Sequence, residues 1–122
     1  MEKIVFLDRD TLAPQIRVRR PGFAHDYVEY ARTTPAELAE RLDGATIAIT
    51  NKVPLPGEVL ERLPSLRMVA VAATGTDQVD KAACQRLGVA VANIRGYSVN
   101  TVPEHTFALI LALRRNLVPY RD

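Results

Sequence analysis

Apolar and polar positions alternate along this chain in short blocks. Lys3 to Asp8 (KIVFLD) is an apolar run ending in an acidic residue, the pattern of a buried strand. Residues 11–26 hold Pro14, Pro21, Gly22 and scattered charges, and read as loop with room for a helical turn. Tyr27 to Ala31 (YVEYA) alternates and is rich in β-formers, which predicts a second strand. Thr34-Pro35-Ala36-Glu37 is a helix start: Thr34 to cap, Pro35 at the first helical position, Glu37 to reach back to the cap amide. That helix runs through Leu38 and Leu42 and stops at Gly44. Ala45 to Thr50 (ATIAIT) predicts a third strand, and Pro56 opens a short helix, EVLERL, closed by Pro64.

Arg67 to Ala73 (RMVAVAA) has almost no polar alternation. A strand apolar on both faces belongs in the middle of a sheet covered on both sides. Thr74-Gly75-Thr76 then turns the chain, Asp80 caps the helix KAACQRL, Gly88 ends it, and Val89 to Ala92 is a fifth strand. Asn100 or Thr101 caps the longest helix, where Thr101-Val102-Pro103-Glu104 repeats the capping-box pattern. Its apolar residues Val102, Phe107, Leu109, Ile110, Leu111 and Leu113 cover more than one face, so the helix requires a partner surface, either a second domain or another subunit.

Strands alternating with helices at this spacing form βαβ units around a parallel sheet. The expected fold is α/β: a flavodoxin-like three-layer sandwich with a five-stranded parallel sheet in the order 2-1-3-4-5. Ligands of such sheets bind beyond the carboxyl ends of the strands. Those ends are Asp8-Arg9-Asp10, Thr50-Asn51-Lys52, Ala73 to Thr76, and Asn93 to Asn100.

The length of 122 residues suits one compact domain, and 48% apolar with 25% charged residues is ordinary globular composition. The 16 basic and 14 acidic residues are spread along the chain. The one dense basic spot, Arg17, Arg19 and Arg20, lacks aromatic or glycine-rich context and reads as a solvated loop, not a nucleic-acid surface. Cys84 is the only cysteine, which excludes an internal disulfide and a cysteine-built metal site. His25 and His105 stand near neither each other nor Cys84, so no metal site is expected, and His105 reads as packing or interface. The first apolar run is too short for a signal peptide or a membrane span, which leads to the expectation of a soluble, cytoplasmic chain.

Four segments carry candidate chemistry. At Thr74-Gly75-Thr76 the backbone can turn so that successive amides point at one carboxylate or phosphate, although a plain strand-to-helix turn explains the same residues. Asn51-Lys52 places a positive charge near the same crevice, against the alternative of a solvated loop lysine. Tyr97-Ser98-Val99-Asn100 offers hydroxyls to a ligand, while capping the long helix accounts for Ser98, Asn100 and Thr101 without one. Asp8-Arg9-Asp10-Thr11-Leu12 resembles the first motif of haloacid-dehalogenase-type phosphatases, but the glycine expected before Thr11 and the late acidic pair for magnesium are missing. A receiver domain would need an Asp at the end of the third strand, where Thr50-Asn51 stands. No G-x-G-x-x-G occurs anywhere in the sequence.

From Leu63 onward, the leucine-rich lead-in, the central strand, TGTDQVD, the helix ending in Leu87-Gly88-Val89, and NIRGYSVNTVPEH together resemble the D-isomer-specific 2-hydroxyacid dehydrogenase family. The segments Asn51-Lys52 and Tyr97 to His105 are most similar to its glycerate dehydrogenase (hydroxypyruvate reductase) branch. The resemblance implies that residues 1–122 form the flavodoxin-like substrate-binding lobe of a two-lobed enzyme. It implies that amides of the turn at Thr74, Gly75 and Thr76 meet the substrate carboxylate, that Asn51, Lys52 and Tyr97 line the substrate side, and that Thr101 lies near the nicotinamide of NAD or NADP. The partners it implies are a small 2-hydroxy or 2-oxo acid, an NAD-binding lobe, and a homodimer mate met through the 101–120 helix. The family's glycine-rich loop and its catalytic Arg, Glu and His come later in the chain and have no counterpart here, so the 122 residues are expected to be a truncated lobe, inactive alone. The alternatives are a phosphatase using Asp8 and Asp10, and a binding-only flavodoxin-like module.

Overall fold

The structure, a computed structural model, describes residues 1–121; Asp122, the last residue of the expected lobe, lies outside the described residues. Five strands form one sheet: β1 (Glu2–Phe6), β2 (His25–Glu29), β3 (Ile47–Thr50), β4 (Met68–Val71) and β5 (Ala90–Ala92). All neighbours pair in parallel, in the order β2-β1-β3-β4-β5, as the pattern of apolar blocks predicts. The helices are α1 (Leu38–Arg41), α2 (Gly57–Leu60), α3 (Lys81–Leu87), α4 (Thr101–Arg114) and α5 (Leu117–Arg121), with 3-10 turns at Arg9–Thr11 and Pro35–Glu37.

The register defines two faces. Val5, Ala48, Val69 and Val91 are successive cross-strand partners and point to one side. They meet Leu38 and Leu42, Leu60, and Ala83 and Cys84, so α1, α2 and α3 all cover this face and enclose the main core. The other face carries the rows Ile4-Ile47-Met68-Ala90 and Phe6-Ile49-Ala70-Ala92. There Ile4 and Phe6 are buried, Ile47, Ile49, Met68 and Ala70 are half-buried, and Ala90 and Ala92 are exposed. Its cover is the loop before β2, whose Val18, Pro21 and Phe23 border an apolar trough of about 260 Å3. The second apolar side of the central strand, from which a sheet covered on both faces was expected, therefore faces a loop and not a helical layer.

Local chemistry explains the element ends. β2 stops at Glu29, two residues short of the expected Ala31, because the Tyr30 and Ala31 carbonyls accept from Arg9 and Asp10 in the loop after β1. Before α1, the Glu37 carboxylate accepts from both the amide (2.8 Å) and the hydroxyl (2.9 Å) of Thr34. The Asp80 carboxylate caps α3 by accepting from Ala83 N at 3.0 Å, and Gly88 closes that helix with φ +71°, a left-handed geometry that glycine adopts without a Cβ penalty. Where α2 meets the start of α3, a Cβ on Gly57 would lie 2.7 Å from Asp80 Oδ2, so glycine permits that close approach.

α4 differs from the rest. It has no side-chain cap at Asn100 and no buried residue; Phe107 is 63% and Leu113 81% exposed. Its first bonds run from Val102 N to Ser98 O and from Glu104 N to Asn100 O, so backbone, not the expected Thr101-Glu104 box, starts it. Among the described residues, no helix is long and apolar enough to cross a membrane.

Candidate functional site

The carboxyl ends of β1, β3 and β4 lie side by side because the order 2-1-3-4-5 places the direction reversal next to β1 and β3. A cavity of about 570 Å3 opens there. Asn51 and Lys52 line it from β3, Ala72 and Ala73 from β4, and Ile94 and Tyr97 from the segment after β5. Thr11, Leu12 and Ile16 close the β1 side. The result is a mostly apolar pocket with one cation, Lys52, and a few hydroxyls, which is the make-up of a site for a small polar ligand.

The loops that form the walls are tied together. Asp8, buried at the end of β1, accepts from Asn51 N at 2.9 Å and Lys52 N at 2.6 Å. Asn51 Nδ2 donates to Thr11 Oγ1 (3.0 Å), and Gln78 Nε2 donates to the Asn51 carbonyl (2.8 Å). Thr50 Oγ1 donates to Val53 O, which rounds the chain off after β3. Below this, Leu55 N donates to Gln78 O and Asp80 N to Leu55 O, so the loops after β3 and β4 share a single parallel bridge, Leu55 to Val79. Leu55 is fully buried beneath it.

Asn51, Lys52 and Tyr97 thus meet in one cavity. Thr74, Gly75 and Thr76 follow directly on Ala73 but do not line it; Thr74 and Gly75 are exposed at its rim. Their turn is held from outside, by Asn93 Nδ2 donating to Thr74 O (2.7 Å) and Lys81 Nζ to Thr76 Oγ1 (2.9 Å). Gly75 does not adopt positive φ, and a Cβ there would meet nothing within 4 Å. The turn therefore does not itself require glycine, and the chain leaves that space free. Thr101 begins α4 outside the cavity, fully on the surface. Gln78, Thr11 and Asn93 were not singled out as site residues; they act through bonds to residues far away in the chain, and each lay only inside a quoted motif or family stretch.

The described residues offer no cradle for a dinucleotide. A pyrophosphate needs free amides at a helix start. The α3 start is occupied by the Asp80 carboxylate, and the segment leading into α4 carries no glycine-rich turn next to the helix. Both oxygens of Asp8 accept amide bonds, which disfavours a nucleophilic role for it. Among the described residues, no group of three His, Cys, Asp or Glu is placed to hold a metal ion, as the phosphatase alternative would need.

Comparison with known proteins agrees with the fold. The chain is 55% identical to glycerate dehydrogenase of Methylorubrum extorquens over 99% of its own length and 38% of that protein's. It is 38% identical to hydroxypyruvate reductase of Blautia hydrogenotrophica over 91% of its length and 36% of that protein's. The chain therefore spans under two fifths of the curated relatives it matches. In fold it is similar to NAD-dependent formate dehydrogenase of Staphylococcus aureus, solved with NAD, at TM-score 0.75 and 22% identity, covering 98% of this chain and 40% of that one. An acyclic imino acid reductase solved with NADPH and D-Arg gives the same TM-score and identity, covering 97% of this chain and 39% of that one. Residues 8–115 match the catalytic-domain profile of one family, and the chain belongs to it: the D-isomer specific 2-hydroxyacid dehydrogenases.

Proposed function

We propose that residues 1–122 form the substrate-binding lobe of an NAD(P)-dependent D-2-hydroxyacid dehydrogenase acting on a small acid of the glycerate/hydroxypyruvate type. The observation that carries the reading is the cavity at the strand ends, where Lys52 lines mostly apolar walls and Ala73 leads directly into the turn at Gly75. Lys52 offers its ammonium to the anionic ligand, and Ile94 and Tyr97 border the cavity on the side of the segment after β5. At Gly75 neither φ nor crowding within the chain calls for glycine, which leaves close approach of a carboxylate to the Thr74–Thr76 amides as its reason. The Asn51 side chain, already bonded to Thr11, holds the wall more than it reads the ligand.

NAD or NADP would supply the hydride when bound. The present residues lack the cradle for it, so in this reading the dinucleotide, and the groups that move the proton, belong to a second lobe, with Thr101 nearest to it. A homodimer mate met through α4 is part of the same proposal.

Amide NMR titration of the 122-residue chain with glyoxylate or hydroxypyruvate tests the reading. Shifts confined to residues 51–52, 72–76 and 97 are expected, with none on adding a neutral polyol of similar size. Shifts elsewhere only, or none, would overturn the site. In a hydride-transfer assay with NADH or NADPH the chain alone is expected to give no turnover; turnover would show that the 122 residues suffice and sink the lobe proposal.

A further inference from the structure

Among the described residues, Asp8 is the one buried carboxylate, at 3% exposed, and the ligand chemistry proposed above does not use it. Burying a charged group is costly unless strong partners replace its water. Its partners are not cations. Oδ1 takes the amide of Asn51 and Oδ2 the amide of Lys52, while its own carbonyl takes the amide (3.0 Å) and the hydroxyl (2.7 Å) of Thr11. Amides bonded to an ionised carboxylate form stronger and shorter links than neutral pairs do. Two consecutive amides on one carboxylate fix the direction in which the chain leaves β3.

That direction matters at three points. It presents the Asn51 carbonyl to Gln78 Nε2, which joins this loop to the one that continues from the Thr74–Thr76 turn. It sets Asn51 Nδ2 on Thr11 Oγ1, which closes the β1 wall. It leaves the Lys52 backbone fixed while its side chain is exposed at the cavity. We propose that Asp8 is a positioning residue: through the amides of residues 51 and 52 it holds Lys52 and the Thr11 wall in the geometry that takes the acid ligand. The proposal rests on the ligand reading of the cavity but concerns a residue that does not touch the ligand.

Asp8→Asn tests it, since the shape is kept while one amide faces an NH2 donor in place of an acceptor. In the 122-residue chain, amide hydrogen exchange is expected to accelerate by about tenfold or more at Asn51 and Lys52, with exchange at Val69 and Cys84 unchanged. A merely structural role would raise exchange at all four together, and that result overturns the proposal. The Kd for glyoxylate, followed by amide shifts at residues 72–76, is expected to rise about tenfold; an equal Kd in both proteins also overturns it. If the unaltered chain binds no glyoxylate, the cavity reading fails by itself, and equal exchange at residues 51 and 52 in the two proteins then decides against Asp8. Should Asp8→Asn not fold, Thr11→Val removes the side-chain half of the network: a roughly threefold weaker Kd is expected, and an unchanged one overturns the proposal.

Discussion

At the scale of single residues, burial and one or two bonds decide behaviour. The Glu37 carboxyl is held below its ordinary value of 4.5, first by the amide of Thr34, then by the Thr34 hydroxyl and the Arg41 charge. A depressed folded-state value means that the contribution is present above pH 4.5 and lost as pH falls through the folded value. Glu37→Gln is therefore expected to lower the urea midpoint at pH 7 and to have little effect at pH 3; an equal loss at both values would remove the charge from the account. Burial, and then the negative Asp80, push the Cys84 thiol above its ordinary value of 9.0. The thiol is 1% exposed in the core under α3, so it should stay unlabelled by a thiol reagent at pH 8 during the time in which the urea-unfolded chain labels fully. Fast native labelling would show that α3 opens.

At the scale of elements, the helices that build the domain are short and depend on caps. α3 has seven residues, too few to persist without its ends and its packing. Asp80 caps it, and the same carboxylate sits against Gly57 of α2. Asp80→Ala is expected to cost about 1 kcal/mol in a denaturant titration. A loss near zero would mean that the Leu55–Val79 bridge alone sets the start of α3. Strand and helix positions were largely legible because apolar blocks of strand length, separated by Pro, Gly and capping residues, are local signals. The end of β2 was not legible: Tyr30 and Ala31 look like strand, but their carbonyls go to Arg9 and Asp10. The candidate site was legible where it lies at strand ends, at Asn51 and Lys52, and at Tyr97. It was not legible at Thr11 and Gln78, whose roles arise from partners 40 and 27 positions away.

At the scale of the whole molecule, apolar surface among the described residues remains open in the trough beside Ile47, Ile49 and Met68 and along α4. Phe107, Ile110 and Leu113 are each more than half exposed, and large exposed apolar patches are uncommon on chains that stay monomeric. The chain alone is expected to self-associate: in a light-scattering concentration series its apparent mass should rise, and Leu113→Glu should reverse the rise. A mass that stays that of one chain at every concentration would argue against α4 as a dimer surface.

The sequence by itself determined the α/β class and the places of the strands, since strand length, period and cap chemistry are properties of neighbouring residues; the order of the sheet was expected from the fold that alternating βαβ units form, and the pairing of distant strands shows it. Its longer stretches also determined the family. The tertiary structure alone decided three things. One sheet face is covered by helices and the other by a loop, α4 leaves the domain with its apolar residues exposed, and Asp8 holds the Asn51–Lys52 amides instead of offering a nucleophile. Each depends on which distant group takes up a hydrogen bond or covers a surface, and no local period encodes that choice.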